Sequence, residues 1–300
     1  MSQDEERASI LAELTPGFTV LEPKEQLAPF VFCSPHSGRI YPKALLERSR
    51  LDAHALRKSE DCFVDELFAG VARLGAPLIA ARFPRAYLDV NREPYELDPL
   101  LFGEPLPPFA NAQSMRVAGG LGTIARIVAD GEEIYREPPP LAAALERIER
   151  LYKPFHATLH ELITRTQARF GVALLVDCHS MPSASMSSSG STKPDFVIGD
   201  RFGASCDPRA SRAIREAIVQ LGYQAHVNRP YAGGFITEHY GRPAQGVHAV
   251  QIEINRALYL DETSLQPTAR FAKLRNDLTA LVQRLFSGMP PLIERRAAAE

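Results

Sequence analysis

Residues 172–180 read VALLVDCHS, an apolar run that leads directly into Asp177 and His179. A short apolar run bounded by Gly171 and by polar residues is typical of a strand buried on both faces. Apolar residues at helical spacing predict one helix over 140–170, before this strand, and another over 208–221, after it. Because strands alternate with helices, the chain is predicted to be an α/β protein with a mainly parallel or mixed sheet.

The same alternation continues on both sides of this strand. Further strands are predicted at 28–34, 77–81, 87–90, 196–199, 223–227 and 247–254, and further helices at 59–74, 121–135 and 265–286. No repeat and no linker interrupts them, so residues 16–290 are predicted to form one domain between a mobile lead (1–15) and a tail (291–300). The serine-rich run at 187–191 is predicted to be a flexible loop of that domain.

Composition excludes several classes of protein. Of the 300 residues, 45% are hydrophobic and 23% are charged, which is ordinary for a globular protein and excludes disordered and fibrous classes. A formal net charge of −2 gives no electrostatic basis for binding nucleic acid or an anionic membrane. No apolar stretch reaches the roughly eighteen residues of a membrane span, and the amino terminus is acidic, unlike a secretory signal. Four widely spaced cysteines without CxxC predict reduced thiols and a cytoplasmic protein.

Polar side chains follow several of the predicted strands. His36 follows the first of them, His179 ends the central one and Glu253 ends a late one. Ligands of α/β sheets bind outside the carboxyl ends of strands. Histidines and carboxylates are the ligands of catalytic zinc, which keeps one position for water. A structural role is the commoner one for a histidine at a strand end, and the residues alone leave both interpretations open. The usual dinucleotide, P-loop and α/β-hydrolase motifs are absent from the sequence.

Four motif blocks together resemble the N-formylglutamate amidohydrolase (deformylase) family. They follow that family's order over about residues 28–285 and read SPHSG at 34–38, DCHS at 177–180, YAGGFITEHYG at 231–241 and VHAVQIEINR at 247–256. The family is similar in fold to zinc carboxypeptidases and aspartoacylases. The resemblance therefore implies a three-layer α/β/α sandwich around a mixed sheet, with one catalytic Zn²⁺ per chain.

The resemblance also implies roles for single residues. It places His36 and His179 among the zinc ligands. Glu60 and Asp61 compete for the acidic ligand; alignment with the helix that follows favours Asp61, and Glu60 could instead face solvent. Glu253 resembles the general base, which takes a proton from water and passes it to the leaving nitrogen.

The segment FPRAYLDVNR at 83–92 resembles an element of zinc carboxypeptidases and aspartoacylases. By that likeness Asn91 and Arg92 bind a substrate carboxylate, which suits the planar guanidinium of arginine. Arg85 would stabilise the developing oxyanion, and a surface ion pair is the equally weighted alternative. Arg256, the last residue of the fourth block, is likewise assigned to substrate binding.

These likenesses imply a zinc-dependent amidohydrolase that cleaves an N-acyl amino acid, with N-formyl-L-glutamate the first substrate to test. Asp89 and Asp177 are predicted to orient a ligand or an arginine. Cys62 and Phe63 stand where better-known deformylases have aromatic and histidine residues. The chain also runs from His179 into a serine-rich loop; such loops line the pocket mouth, which leaves the second half of the substrate open. The alternatives are a zinc hydrolase acting on another N-acyl amino acid or a small peptide, and a non-catalytic binding protein of the same fold. The sequence fixes neither the native metal nor the oligomeric state.

Overall fold

The computed structural model of the chain describes residues 3–128, 131–186 and 193–288. The predicted loop at 187–191 and the predicted tail at 291–300 lie outside them. The helices are α1 Gln3–Glu13, α2 Lys43–Arg48, α3 Ala53–Arg57, α4 Val64–Phe68, α5 Val71–Leu74, α6 Met115–Ala118, α7 Leu141–Arg147, α8 Lys153–Phe170, α9 Pro208–Gln220, α10 Phe235–Tyr240 and α11 Phe271–Gly288. The strands are β1 Phe18–Leu21, β2 Phe30–Ser34, β3 Leu78–Ala81, β4 Ala173–Met181, β5 Phe196–Gly199, β6 Ala225–Val227, β7 Val247–Asn255, β8 Leu260–Asp261 and β9 Gln266–Pro267.

Seven of these strands form one mixed sheet, in the order β1-β3-β2-β4-β7-β5-β6. Strand β4 runs parallel to both of its neighbours, β2 and β7. Strand β5 is antiparallel to β7 and parallel to β6. The predicted α/β class with a mixed sheet is therefore confirmed.

The chain divides into two compact units. The first consists of the described parts of Met1–Thr19, Pro35–Glu60 and Ala80–Thr158, and the second of those of Val20–Ser34, Asp61–Ile79 and Leu159–Glu300. The second unit contains β2 and β4 to β7 together with α4, α5, α9, α10 and α11. That residues 16–290 act as a single domain stays a prediction.

Strands β4 and β7 present different side chains on their two faces, because alternate residues of a strand point in opposite directions. On one face Val176 and Ile252 belong to the apolar core of the second unit, which also includes residues of α4, α5, α9 and α11. Asp177, His179 and Glu253 occupy the alternate positions and so lie on the other face. Burial of the apolar face fixes the register and thereby holds these polar residues in place.

Helix α1 (Gln3–Glu13) lies within residues 1–15, for which a mobile lead is predicted. Ile10 is buried, and the fully buried Glu6 accepts a hydrogen bond from Nε of Arg147 at 2.5 Å. The Tyr87 hydroxyl donates to the same carboxylate oxygen. Arg147, 141 positions later in the chain, compensates the buried charge of Glu6. This ion pair ties the polar amino-terminal segment to the folded unit.

The described part of the segment 121–135 contains no α-helix, so the helix predicted there is wrong. Several of its apolar residues are nevertheless buried: Ile124 is fully buried, whereas Leu121 is exposed. The backbone pairs differently: Thr123 donates to the Glu96 carbonyl and accepts from the Asp89 N–H, while Ile134 donates to the Arg126 carbonyl. These hydrogen bonds, one pair long-range and one local, take the place of helical ones.

The other long helices follow the predicted pattern. The helix expected over 140–170 is present as α7 and α8, joined by a π-helical turn at Ile148–Tyr152. Helix α9 begins at Pro208, after a capping Asp207 whose side chain accepts from the Arg209 N–H.

None of the helices in the described ranges combines the length and apolarity needed to cross a membrane. The four cysteines, all within the described residues, are buried and form no disulfide with one another.

Candidate metal centre

His36 lies in the turn that follows β2. Its Nε2 is 2.7 Å from Oδ1 of Asp89, and both side chains are buried. A carboxylate on one imidazole nitrogen fixes the orientation of the ring and makes the other nitrogen, Nδ1, the atom suited to bind a metal. Burial opposes ionisation of Asp89, but the charges of Arg92, His36 and Arg85 outweigh it and hold the pKa of Asp89 well below its usual range. Asp89 thus makes the contacts expected of a residue that orients both a ligand and an arginine.

The turn that carries His36 depends on Gly38. A Cβ atom at this position would lie 2.0 Å from the carbonyl oxygen of Phe83. No side chain fits at that distance, so the glycine allows two backbone segments to approach closely. The SPHSG block therefore combines a candidate ligand with the small residue that its turn requires.

We expect Gly38→Ala to lower the free energy of unfolding by about 2 kcal/mol, because the backbone must shift to admit the methyl group. Urea unfolding measures the loss. Gly103→Ala is the matched control, since a Cβ there would meet nothing nearer than the Cβ of Pro138 at 3.9 Å. Equal losses of stability in the two variants would contradict this account of the turn.

His179 lies between two carboxylates. Its Nδ1 is 2.9 Å from Oδ2 of Asp61, and its Nε2 is 3.0 Å from Oδ1 of Asp177. Burial alone would lower the pKa of His179, but the charges of Asp177 and Asp61 outweigh it and raise this pKa well above the usual value. Such surroundings stabilise a positive charge, which a bound proton or a metal ion can supply.

The second oxygen of Asp61 is also held. Its Oδ1 accepts from the Ser180 hydroxyl at 3.0 Å and from Nη2 of Arg256 at 3.2 Å. Nε of Arg256 donates to the oxygen of Ser180 at 3.0 Å, and all three side chains are buried. Ser180 lies within the DCHS block, but no signal in the sequence marked it as functional. The structure places Arg256 where it orients Asp61, and its role in substrate binding stays a prediction.

Glu60 does not face solvent, which corrects the alternative considered for it. The side chain is buried and accepts hydrogen bonds from the Tyr41 hydroxyl at 2.7 Å and from Nε of Arg57 at 3.0 Å. The guanidinium of Arg57 compensates the buried charge of Glu60. A carboxylate exposed to water in a first helical turn would not need such a partner. Of the two competing neighbours, Asp61 is the one that contacts His179.

Glu253 lies beside His179 because β4 and β7 are parallel and paired in register. The pairing sets His179 against Glu253 and Asp177 against Gln251. Side chains at paired positions of neighbouring parallel strands project from the same face, so the candidate base and a candidate ligand are adjacent. Glu253 is buried, and its Oε1 accepts a hydrogen bond from Nε2 of Gln251 at 2.7 Å. Gln251 was not predicted to be a functional residue. In the sequence it is marked only by its place two residues before Glu253, on the same face of the predicted strand.

Three buried side chains come together in an arrangement that can hold a metal ion. His36, Asp61 and His179 each offer a ligand atom, and these atoms lie within 4.8 Å of one another. Two imidazoles and a carboxylate suit a divalent cation that accepts nitrogen and oxygen ligands, with further positions for water or substrate. The donor set therefore fits the metal that the sequence analysis expected, and the three predicted ligands are the three that converge.

Arg85, Asn91 and Arg92 lie around Asp89. Nη2 of Arg85 donates to Asp89 at 2.9 Å, and the Asn91 N–H donates to it at 2.8 Å. Arg92 is buried, its Nη2 lies 3.5 Å from Asp89, and its Nε donates to the Leu121 carbonyl at 2.8 Å. Burial lowers the pKa of Arg92 to about 10, so the guanidinium remains charged at neutral pH. The structure brings the three residues together, and their catalytic and substrate-binding roles stay predictions.

Residues 28–260 match the family model described as N-formylglutamate amidohydrolase. The chain belongs to this family. N-formylglutamate deformylase of Pseudomonas aeruginosa is 32% identical to it over 273 residues, which cover 90% of this chain and 96% of that protein. N-formylglutamate deformylase of Pseudomonas putida is 31% identical over 238 residues, which cover 78% of this chain and 83% of that protein.

One solved structure agrees with this assignment to the N-formylglutamate amidohydrolase family, and a more distant one shares the fold. The crystal structure of N-formylglutamate amidohydrolase from Ralstonia eutropha JMP134 is 34% identical, with a TM-score of 0.86 over 90% of this chain and 97% of that one. A protein of Agrobacterium tumefaciens with 18% identity has a TM-score of 0.66 and shares the fold. The family predicted from the four motif blocks is confirmed, and the chain is a member of a family of amide-bond hydrolases.

Proposed function

We propose that the chain is a metal-dependent amidohydrolase that cleaves N-formyl-L-glutamate into formate and L-glutamate. The convergence of His36, Asp61 and His179, with Glu253 adjacent to His179, carries the proposal. The relatives named N-formylglutamate deformylase support the choice of substrate. A cytoplasmic location belongs to the same proposal, supported by the buried free thiols.

His36, Asp61 and His179 would hold the metal, and Zn²⁺ is the first choice because catalytic zinc commonly takes three such ligands. When bound, the ion would polarise the amide carbonyl and make a water molecule more acidic. Asp89 and Asp177 would keep the two imidazole rings oriented through their Nε2 atoms.

The remaining residues would move the proton and hold the substrate. The hydroxyl of a water molecule adds to the formyl carbon, the C–N bond breaks, and the water's proton passes through the carboxylate of Glu253 to the departing nitrogen. Arg85 would stabilise negative charge on the carbonyl oxygen. Asn91, Arg92 and Arg256 would bind the substrate carboxylates.

Metal analysis combined with a panel of substrates tests this function. We expect one divalent ion per purified chain, release of formate and glutamate in equal amounts from N-formyl-L-glutamate, and much slower hydrolysis of N-acetyl-L-glutamate and of dipeptides. Removing the metal with a chelator should abolish turnover, and Zn²⁺ added back should restore it, since the ion supplies the Lewis acid.

Each alternative gives a different result in this panel. Faster hydrolysis of an N-acetyl substrate or a dipeptide would keep the hydrolase class and overturn the choice of substrate. Full activity after complete removal of metal would overturn metal dependence. A chain that holds no metal and hydrolyses nothing in the panel would be a binding protein of the same fold. Parallel reconstitution with Co²⁺ and Mn²⁺ identifies the metal, since both accept these ligand types.

A further inference from the structure

Gln251 makes a direct hydrogen bond to Glu253, and the proposed function assigns no role to Gln251. The two residues are separated by one position in β7 and therefore project from the same face of the sheet. Nε2 of Gln251 lies 2.7 Å from Oε1 of Glu253, and only 5% and 8% of the two residues, respectively, is exposed. A buried amide and a buried carboxylate at this distance form a hydrogen bond shielded from water.

A third group fixes the orientation of the Gln251 amide. Its Oε1 lies 2.7 Å from the backbone nitrogen of Gly234, immediately before α10. A backbone N–H can only donate, so the carbonyl oxygen of Gln251 must face Gly234. The NH₂ group then faces Glu253 and donates to its carboxylate.

The hydrogen bond supplies what the strand alone does not. Pairing of β4 with β7 fixes the backbone of Glu253 beside His179, but it leaves the side-chain torsions of the glutamate to be fixed by other contacts. A general base works only within hydrogen-bond reach of the proton that it takes. We infer that Gln251 is a positioning residue for Glu253. The Gln251 amide links the Glu253 carboxylate to the Gly234 N–H and so fixes the orientation of that carboxylate. This inference rests on the proposed function, in which Glu253 is the base.

Gln251→Met tests the inference because methionine has similar length and no amide. We expect kcat for N-formyl-L-glutamate to fall by about 10- to 100-fold, the effect typical of losing an outer hydrogen-bond partner. KM and the metal content should stay within twofold of wild type, because the hydrogen bonds of the Gln251 side chain among the described residues go to Gly234 and Glu253, not to a candidate ligand or a predicted substrate-binding residue. Gln167→Met is the matched control: it removes a hydrogen bond to the Gln245 carbonyl outside the site and should leave kcat unchanged.

A double-mutant cycle separates positioning from a general structural role. If Gln251 acts through Glu253, adding Gln251→Met to Glu253→Ala should not lower the residual rate further. A kcat within twofold of wild type for Gln251→Met, or a full additional loss in the double variant, would overturn the inference. If Glu253→Ala itself retains the wild-type rate, the proposed base fails instead, and the two failures are thus distinguished.

Gln251→Glu decides the question if the methionine variant does not fold. The glutamate has the same shape and can still accept from Gly234, but it places an acceptor where Glu253 requires a donor. We expect kcat to fall at least tenfold with the metal content unchanged. A wild-type kcat in this variant would overturn the inference.

Discussion

Glu253→Gln should lower kcat for N-formyl-L-glutamate by about 10³-fold, within the range that general acid–base catalysis contributes. An amide has the size of the carboxylate but cannot accept the proton of the attacking water. Its oxygen can still accept from Gln251, so the buried side chain should keep its place. Steady-state kinetics of formate release measure the loss, and elemental analysis should find the wild-type metal content.

The control for this variant is Glu47→Gln, which neutralises an exposed carboxylate paired with Lys43 at 3.6 Å. Its kcat should equal that of wild type. A Glu253→Gln enzyme that retains more than a tenth of wild-type turnover would exclude a general base at this position. Loss of the metal together with turnover would assign Glu253 to metal binding, which also contradicts the role proposed here.

Most residues of the candidate centre could be predicted because they belong to local signals. His36 follows a predicted strand, His179 ends the most continuous apolar run, and Glu253 lies in a strand whose alternation is visible in the sequence. Asp61 came from the family resemblance, in competition with Glu60, and the structure brings it together with His36 and His179. In an α/β protein, polar residues at the ends of buried strands converge, so local patterns carry much of the information about a site.

What the sequence did not reveal depends on contacts between distant segments. The bond between Gln251 and Gly234 requires the placement of α10, which no pattern within β7 encodes. The helix predicted over 121–135 is wrong although its apolar spacing is that of a helix, because Thr123 pairs with residues 89 and 96 and Ile134 pairs back with Arg126. A buried segment without a helix and an amphipathic helix can show the same spacing of apolar residues. They differ in the hydrogen-bond partners of their backbone groups, which the spacing does not reveal.

The same dependence on distant contacts makes Arg147 a side chain of the first unit whose loss should strongly lower stability. It is fully buried, and its Nη1 donates to the Tyr87 carbonyl at 3.2 Å and to the Tyr135 hydroxyl at 3.1 Å, in addition to its bond with Glu6. Removing one partner of a buried ion pair leaves an uncompensated charge, which costs about 3–5 kcal/mol. We expect Arg147→Met to lower the free energy of unfolding by this amount, measured by urea denaturation.

Arg165→Met provides the control, because Arg165 pairs with Glu22 at the surface and its loss should cost less than about 1 kcal/mol. The double variant Glu6→Met/Arg147→Met then separates charge from packing. Within the described residues Oε2 of Glu6 has no hydrogen-bond partner, so the carboxylate depends on the groups that bind Oε1. If the unpaired charge causes the loss, removing it should restore much of the stability, as replacement of buried ion pairs by apolar residues commonly does. A double variant as unstable as Arg147→Met would instead attribute the loss to the contacts of the guanidinium with Tyr87 and Tyr135.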